Sequence, residues 1–166
     1  MLKPKYVDCA ACVLLLLLFM LGVAPVWTPR VSAEDEALLV IVGASFPGKD
    51  ISFATLKEAF RGRVANLDGK RLIPVNHPLE SAPRVAFDRQ VLRLKPDEVG
   101  RFWVDVKIRD DGKPPTTAGT SELAVRIVAS LPNAISYATR AMLSPKVKVL
   151  TLDGKSANDA GYGLKP

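Results

Sequence analysis

Residues 72–92, LIPVNHPLESAPRVAFDRQVL, constrain the fold more than any other part of the chain. A short β-branched run, Ile73-Pro74-Val75, passes through a polar turn into Ser81-Ala82-Pro83 and then into a helical pattern anchored by Val85, Val91 and Leu92. That is a strand feeding a helix. Ser81 suits the N-cap and Pro83 the first turn, and the backbone N–H groups at such a terminus form a site for an anion. Just upstream, LKEAFRGRVANLDGKRL supplies a short helix, a Gly62 stop and an Asp68-Gly69 turn.

The rest of the chain repeats this alternation. Residues 38–42 read as a continuous apolar strand of the kind buried on both faces. Ser52 caps a helix running to Arg61, with Leu56, Ala59 and Phe60 on one face. A further helix from Pro96 sets Val99, Phe102, Trp103 and Val106 at i, i+3, i+4 and i+7, a core-facing spacing. Residues 110–119 read as a loop. Thr120 or Ser121 then caps a helix carrying Ala124, Ile127, Val128 and Leu131, which Pro132 ends. Short strands follow at 134–137 and 147–152. The expected fold class is α/β, with a mixed or mainly parallel sheet flanked by helices. Residues 34–152 form the expected domain, and 153–166 a loosely ordered tail.

The order of helix, F-x-G-[KR], turn, strand, Ser-containing turn and helix resembles the substrate-binding subunits of bacterial phosphate ABC transporters. Three more segments match in sequence order: residues 38–42 with GASFPGKDIS, then Asp111-Gly112-Lys113-Pro114-Pro115, then AVRIVASLPNAISYA. The chain looks most like the short, single-lobe members of that periplasmic binding-protein family. The resemblance implies one lobe of that fold, a small oxyanion such as phosphate as ligand, and a membrane transporter as partner. It places Ser81 at the ligand-holding helix N-terminus; Arg84, by its position in the first turn, and Ser45, in the loop after the first strand where α/β folds commonly place ligands, are further candidate ligand-binding residues. The family's S-G-T run reads Glu80-Ser81-Ala82-Pro83 here, and its P-G-A-I-G-Y pattern reads Pro132-Asn133-Ala134-Ile135-Ser136-Tyr137. Proline removes an N–H donor and Glu80 adds a negative charge at that turn.

Each candidate also has a plain structural reading. Ser81 serves as an N-cap with or without a ligand, Arg84 can pair with Glu80 or Asp88, and Ser45 can be an ordinary turn residue. His77, the only histidine, lacks neighbouring ligands at metal-binding spacing and can instead face a ligand as a donor. Trp103 and Phe102 read as core, and Asp110-Asp111 as a solvated turn.

At the N-terminus, Lys3 and Lys5 precede an apolar run that ends near Pro25, and Val31-Ser32-Ala33 supplies small residues before Glu34. This pattern is that of a secretory signal peptide, residues 1–33, and implies a periplasmic or secreted chain. The alternative is an uncleaved anchor, since about 18 residues is the lower limit for crossing a bilayer. Cys9 and Cys12 both fall in this segment, so the remainder has no cysteine for disulfides, thiolate chemistry or metal sites. Formal charge falls from +6 to +4 when Lys3, Lys5, Arg30 and Asp8 are set aside. The basic residues are dispersed and not interleaved with aromatics, which argues against nucleic acid. Nucleophile-elbow, P-loop, zincin and dinucleotide motifs are all missing, so the expectation is a non-enzyme without cofactor. The alternative to ligand capture is a lobe that docks a periplasmic protein or forms a homodimer.

Overall fold

The computed structural model describes residues 37–110 and 112–164. The signal-peptide reading of residues 1–33 therefore lies outside the described residues. A five-stranded sheet in the order β6-β5-β7-β1-β8 carries the fold. Its strands are β1 (Leu39–Gly43), β5 (Ile73–Asn76), β6 (Thr116–Thr117), β7 (Ala134–Ala138) and β8 (Val147–Val149). β5 runs parallel to both β6 and β7, whereas β1 is antiparallel to β7 and β8. Four strands thus share one direction and β1 opposes them, the mixed and mainly parallel α/β sheet the sequence implies. Two small ladders complete it, a parallel pair of β2 (Asp50–Ile51) with β9 (Thr151–Leu152) and a hairpin of β3 (Asn66–Leu67) with β4 (Lys70–Arg71).

β1 is apolar throughout because both its faces are covered. Leu38, Val40 and Val42 join one core with Phe60, Phe87, Ile135 and Tyr137, while Leu39 and Ile41 join another with Ala124, Val128, Ala134 and Ala138. Side chains of a strand alternate between faces, so consecutive residues serve opposite cores. Apart from Leu39 and Ile41 the buried residues of the second core are alanines and valines, which lets helix α4 (Ser121–Ser130) lie close to the sheet. A Cβ added to Gly43 would stand 3.1 Å from the Val128 carbonyl. The first core is aromatic and lies under α1 (Phe53–Phe60) and α2 (Ala82–Phe87).

Most local expectations hold at the level of single residues. Ser52 Oγ accepts from Thr55 N, and Thr120 Oγ1 from Leu123 N, so both caps form. Leu56, Ala59 and Phe60 are the buried face of α1. Gly62 follows it with φ +81°, a left-handed conformation that a side chain would strain.

Four expectations change. The helix expected over residues 83–92 is α-helical only to Phe87; Asp88–Leu92 is a π-helical turn, and Val85 is only half-buried while Phe87 is fully enclosed. Within 110–119 lies edge strand β6, which completes the sheet beside β5 at Val75↔Thr116. The final strand divides at Leu150, where β8 leaves the main sheet and β9 pairs with β2. Residues 153–164 are not loose: Tyr162 and Leu164 are buried in the aromatic core, and Leu38 N donates to the Leu164 carbonyl at 3.0 Å. Apolar burial at the far end outweighs the polar, glycine-containing sequence between.

Helix α3 (Val99–Asp110) buries Val99 and Val106 and half-buries Phe102 and Trp103. A Cβ on Gly112 would meet Val106 Cγ1 at 2.5 Å, and one on Gly62 would meet Trp103 Cζ3 at 3.1 Å. Glycine at both places allows α3 to pack beside the end of α1.

Candidate functional site

β5 delivers Asn76 and His77 to the C-terminal end of the sheet, and the chain turns there into α2. Ser81 occupies the N-cap with φ −71° and ψ 141°, but its hydroxyl makes no capping bond. Instead Oγ donates to the Pro78 carbonyl at 2.7 Å, and its own N–H donates to the same carbonyl at 3.0 Å. The side chain therefore closes the Pro78–Ser81 turn.

Arg84 is 3% exposed and Asp88 likewise, one helical turn later. Nε of Arg84 donates to Asp88 Oδ2 at 2.7 Å, and Nη1 donates to the His77 carbonyl at 3.4 Å. Of the readings open to Arg84, pairing with Asp88 is the one the fold adopts. Its guanidinium is directed into the protein, so Arg84 as a direct anion-binding cation is corrected to a buried structural charge. Burial pushes the Asp88 carboxyl up, and the adjacent guanidinium pulls it back. Asp88 Oδ1 has no hydrogen-bond partner.

His77 is fully enclosed. Its Nε2 lies 2.6 Å from the Tyr137 carbonyl, and since a carbonyl can only accept, Nε2 carries the proton. Nδ1 is then the bare nitrogen, buried without a partner. The ring stacks on Tyr137 at 4.8 Å, Tyr137 stacks on Phe87 at 3.8 Å, and Phe87 contacts Phe60 at 4.6 Å. Tyr137 Oη donates to Asn76 Oδ1 at 3.2 Å, tying β7 to β5 at this end. His77 is thus part of an aromatic column rather than a ligand-facing donor.

Burial holds the His77 pKa below 6.5, and the positive charge of Arg84 adds to this, against the raising effects of the Tyr137 carbonyl and Glu122. Because the folded state resists protonation, the unfolded chain binds more protons as pH falls below about 6.5, and stability declines in that direction. Urea unfolding at pH 7 and pH 5 should therefore show a loss on acidification that His77→Asn reduces. Equal pH slopes for the two proteins would refute the neutral, enclosed imidazole.

Ser45 lies elsewhere. It is exposed in the turn after β1, where it borders a cleft of about 180 Å³ with Phe46, Lys70, Ser130 and Asn133. Because β1 opposes β5 and β7, its C-terminal end meets their beginnings, as Val42↔Ile135 and Pro74↔Ile135 show. Ser81 follows the other end of β5. The two serines thus follow opposite ends of the sheet, where the four residues of β5 alone span about 13 Å. Ser45 is therefore not joined to Ser81 and Arg84 in one site.

Among the described residues no cluster of three or more His, Cys, Asp or Glu could hold a metal ion. Nor is any described helix long and apolar enough to cross a membrane. The interior polar group of Asn76, His77, Asp88 and Tyr137 was not legible as a unit. Only the i, i+4 spacing of Arg84 and Asp88 signalled part of it.

No protein-family profile matches the chain, and no curated protein matches it. Solved structures do. An ABC-type phosphate transport receptor from Vibrio cholerae superposes with a TM-score of 0.58 at 13% identity, covering 74% of this chain and 48% of its own. A Clostridium perfringens protein, described as a phosphate ABC transporter substrate-binding protein and solved with bound phosphate, gives 0.58 at 19% identity, covering 74% and 47%. PstS from Borrelia burgdorferi gives 0.54 at 15%, covering 73% and 49%. The chain shares their fold and spans about half the length of each.

Proposed function

We propose that this chain is an exported binding lobe for a small oxyanion such as phosphate, working with a membrane transporter. The observation that carries the reading is the shared fold over 74% of the chain with a protein solved with bound phosphate. The binding end would be the turn after β5. There the first-turn N–H groups of Ala82 and Arg84 have no carbonyl four residues back within the helix, and Pro83 between them has no N–H. Arg84 would contribute its backbone N–H and not its guanidinium. Ser81 would rotate its hydroxyl from the Pro78 carbonyl to the anion, and Ser45 would take no part.

Calorimetric titration of the chain with phosphate, with sulfate as comparison, tests this. Saturable heat is expected, weakened in Ser81→Ala and strengthened in Glu80→Gln, which removes a negative charge beside the anion. Unchanged affinity in Ser81→Ala would sink the assigned site, and no heat at millimolar phosphate would sink the ligand. Thermal melts of each variant separate lost binding from lost folding.

A second reading, docking of a protein partner or a second copy, is favoured by Leu79, which is 49% exposed beside this turn while the Ser81 hydroxyl is engaged within the protein. Sedimentation showing a dimer that Leu79→Ser dissociates would favour it over anion capture.

A further inference from the structure

Away from the Ser81 turn, at the opposite end of β5, a cleft of about 450 Å³ opens between Leu72–Pro74 and the turn at residues 113–116. Its lining contains Arg63, Arg71 and Lys113, and no acidic residue. These cations come from three separate parts of the chain: the end of α1, the β3–β4 hairpin and the turn before β6. The Glu58 carboxylate holds Arg63 from the side at 3.1 Å, with both side chains largely in solvent. A Cβ on Gly62 would come within 2.6 Å of the Lys113 carbonyl, so close packing on that glycine fixes the turn.

Pro114 borders this cleft on one side and an apolar shelf on the other. The shelf is made by Trp103, Val104 and Ile108 of α3, with Lys107 at its rim. Val104 is 57% and Ile108 77% exposed, on the face of α3 turned away from buried Val99 and Val106. Isolated exposed aliphatics need no explanation, but here they adjoin a tryptophan, a proline and an acid-free basic cleft. Within α3, Arg101, Lys107 and Arg109 outnumber Asp105 and Asp110, so the helix is weakly positive beside the more strongly basic cleft.

We infer that this face docks on a membrane surface containing anionic phospholipid. The cleft takes the phosphate headgroup, and Trp103, Val104 and Ile108 enter the boundary between headgroups and acyl chains. Cations alone would suit any oxyanion, but cations continuous with an exposed apolar shelf match an amphiphile. Tryptophan favours that boundary because its ring is apolar with one polar N–H. The inference does not depend on the oxyanion reading of the Ser81 turn.

The full chain contains two tryptophans, Trp27 and Trp103, so the full-length Trp27→Phe chain reports from the shelf alone. Vesicles of phosphatidylglycerol with brominated acyl chains should quench Trp103 and shift its emission to the blue, an effect reversed by salt. Phosphatidylcholine vesicles should do neither. Each basic residue near an anionic surface strengthens binding about fivefold, so Arg71→Gln with Lys113→Gln should weaken it about 25-fold. Ile108→Ser should weaken it without changing the salt dependence, and far-UV melting checks that each variant folds. Unquenched Trp103 in phosphatidylglycerol, even where the chain sediments with vesicles through its N-terminal apolar run, would overturn the proposal. So would equal quenching in phosphatidylcholine, or a Trp103 response to tripolyphosphate with none to vesicles, which would assign the cleft to a soluble polyanion.

Discussion

Asp88→Ala is expected to lower the unfolding free energy by about 3 to 5 kcal/mol, because it strands a buried guanidinium. Both side chains of the pair are only 4% exposed, and after the substitution Arg84 retains the His77 carbonyl at 3.4 Å. Most of the expected loss is the cost of an unpaired charge in the interior, not the worth of the ion pair itself. A double change, Arg84→Met with Asp88→Leu, should therefore recover much of it, since two apolar residues leave no charge to satisfy. Urea unfolding followed by far-UV circular dichroism measures all three proteins. A loss below about 1 kcal/mol for Asp88→Ala, the range of an exposed pair, would show that water reaches this place.

The same pair shows why the candidate site was harder to read than the fold. Helix and strand signals are local: Ser52 and Thr120 formed caps where their side chains stand just ahead of helical periods, and the apolar run at the start of the domain became the central β1. The direction of β1 is not local. Alternating strands and helices suggest parallel neighbours, yet β1 runs against β5 and β7, and that reversal alone moves Ser45 to the far end of the sheet from Ser81. Arg84 reads as a surface cation because charged residues are seldom enclosed, and only the fold shows that Asp88 faces it on the buried side of the helix. His77 reads as a ligand-facing donor because it stands in a polar turn. Its enclosure depends on Tyr137, sixty residues away in sequence, whose ring and carbonyl occupy its surroundings.

The π-helical turn at Asp88–Leu92 carries the same lesson at shorter range. Its residues have ordinary helical spacing, but a π turn carries one extra residue relative to an α turn and changes the direction in which the following side chains point. Val91 and Leu92 remain buried, and Arg93 closes the turn in the left-handed region at φ 61°.

Removing residues 160–166 is expected to cost about 4 to 6 kcal/mol, the sum of losing two large buried side chains near the low end of the usual range for each. Tyr162 is 3% exposed and Leu164 fully buried, and both pack in the core that includes Val40, Phe60 and Leu152. The backbone is tied down as well. Asp153 N donates to the Ile51 carbonyl at 3.0 Å, and Asp153 Oδ1 accepts from Phe53 N at the start of α1, where a negative charge is favoured. The segment thus holds the beginning of α1 before its end fills the core beside β1. A domain of this size has only about 5 to 15 kcal/mol in total, so the truncation should remove a large share of it. Leu164→Ala separates packing from chain length. It should cost about 2 to 5 kcal/mol by urea unfolding, whereas a terminus lying loosely on the surface would lose almost nothing. The difference follows from where the two apolar residues sit: at the very end of the described chain, after a polar stretch long enough to return them to the sheet they started from.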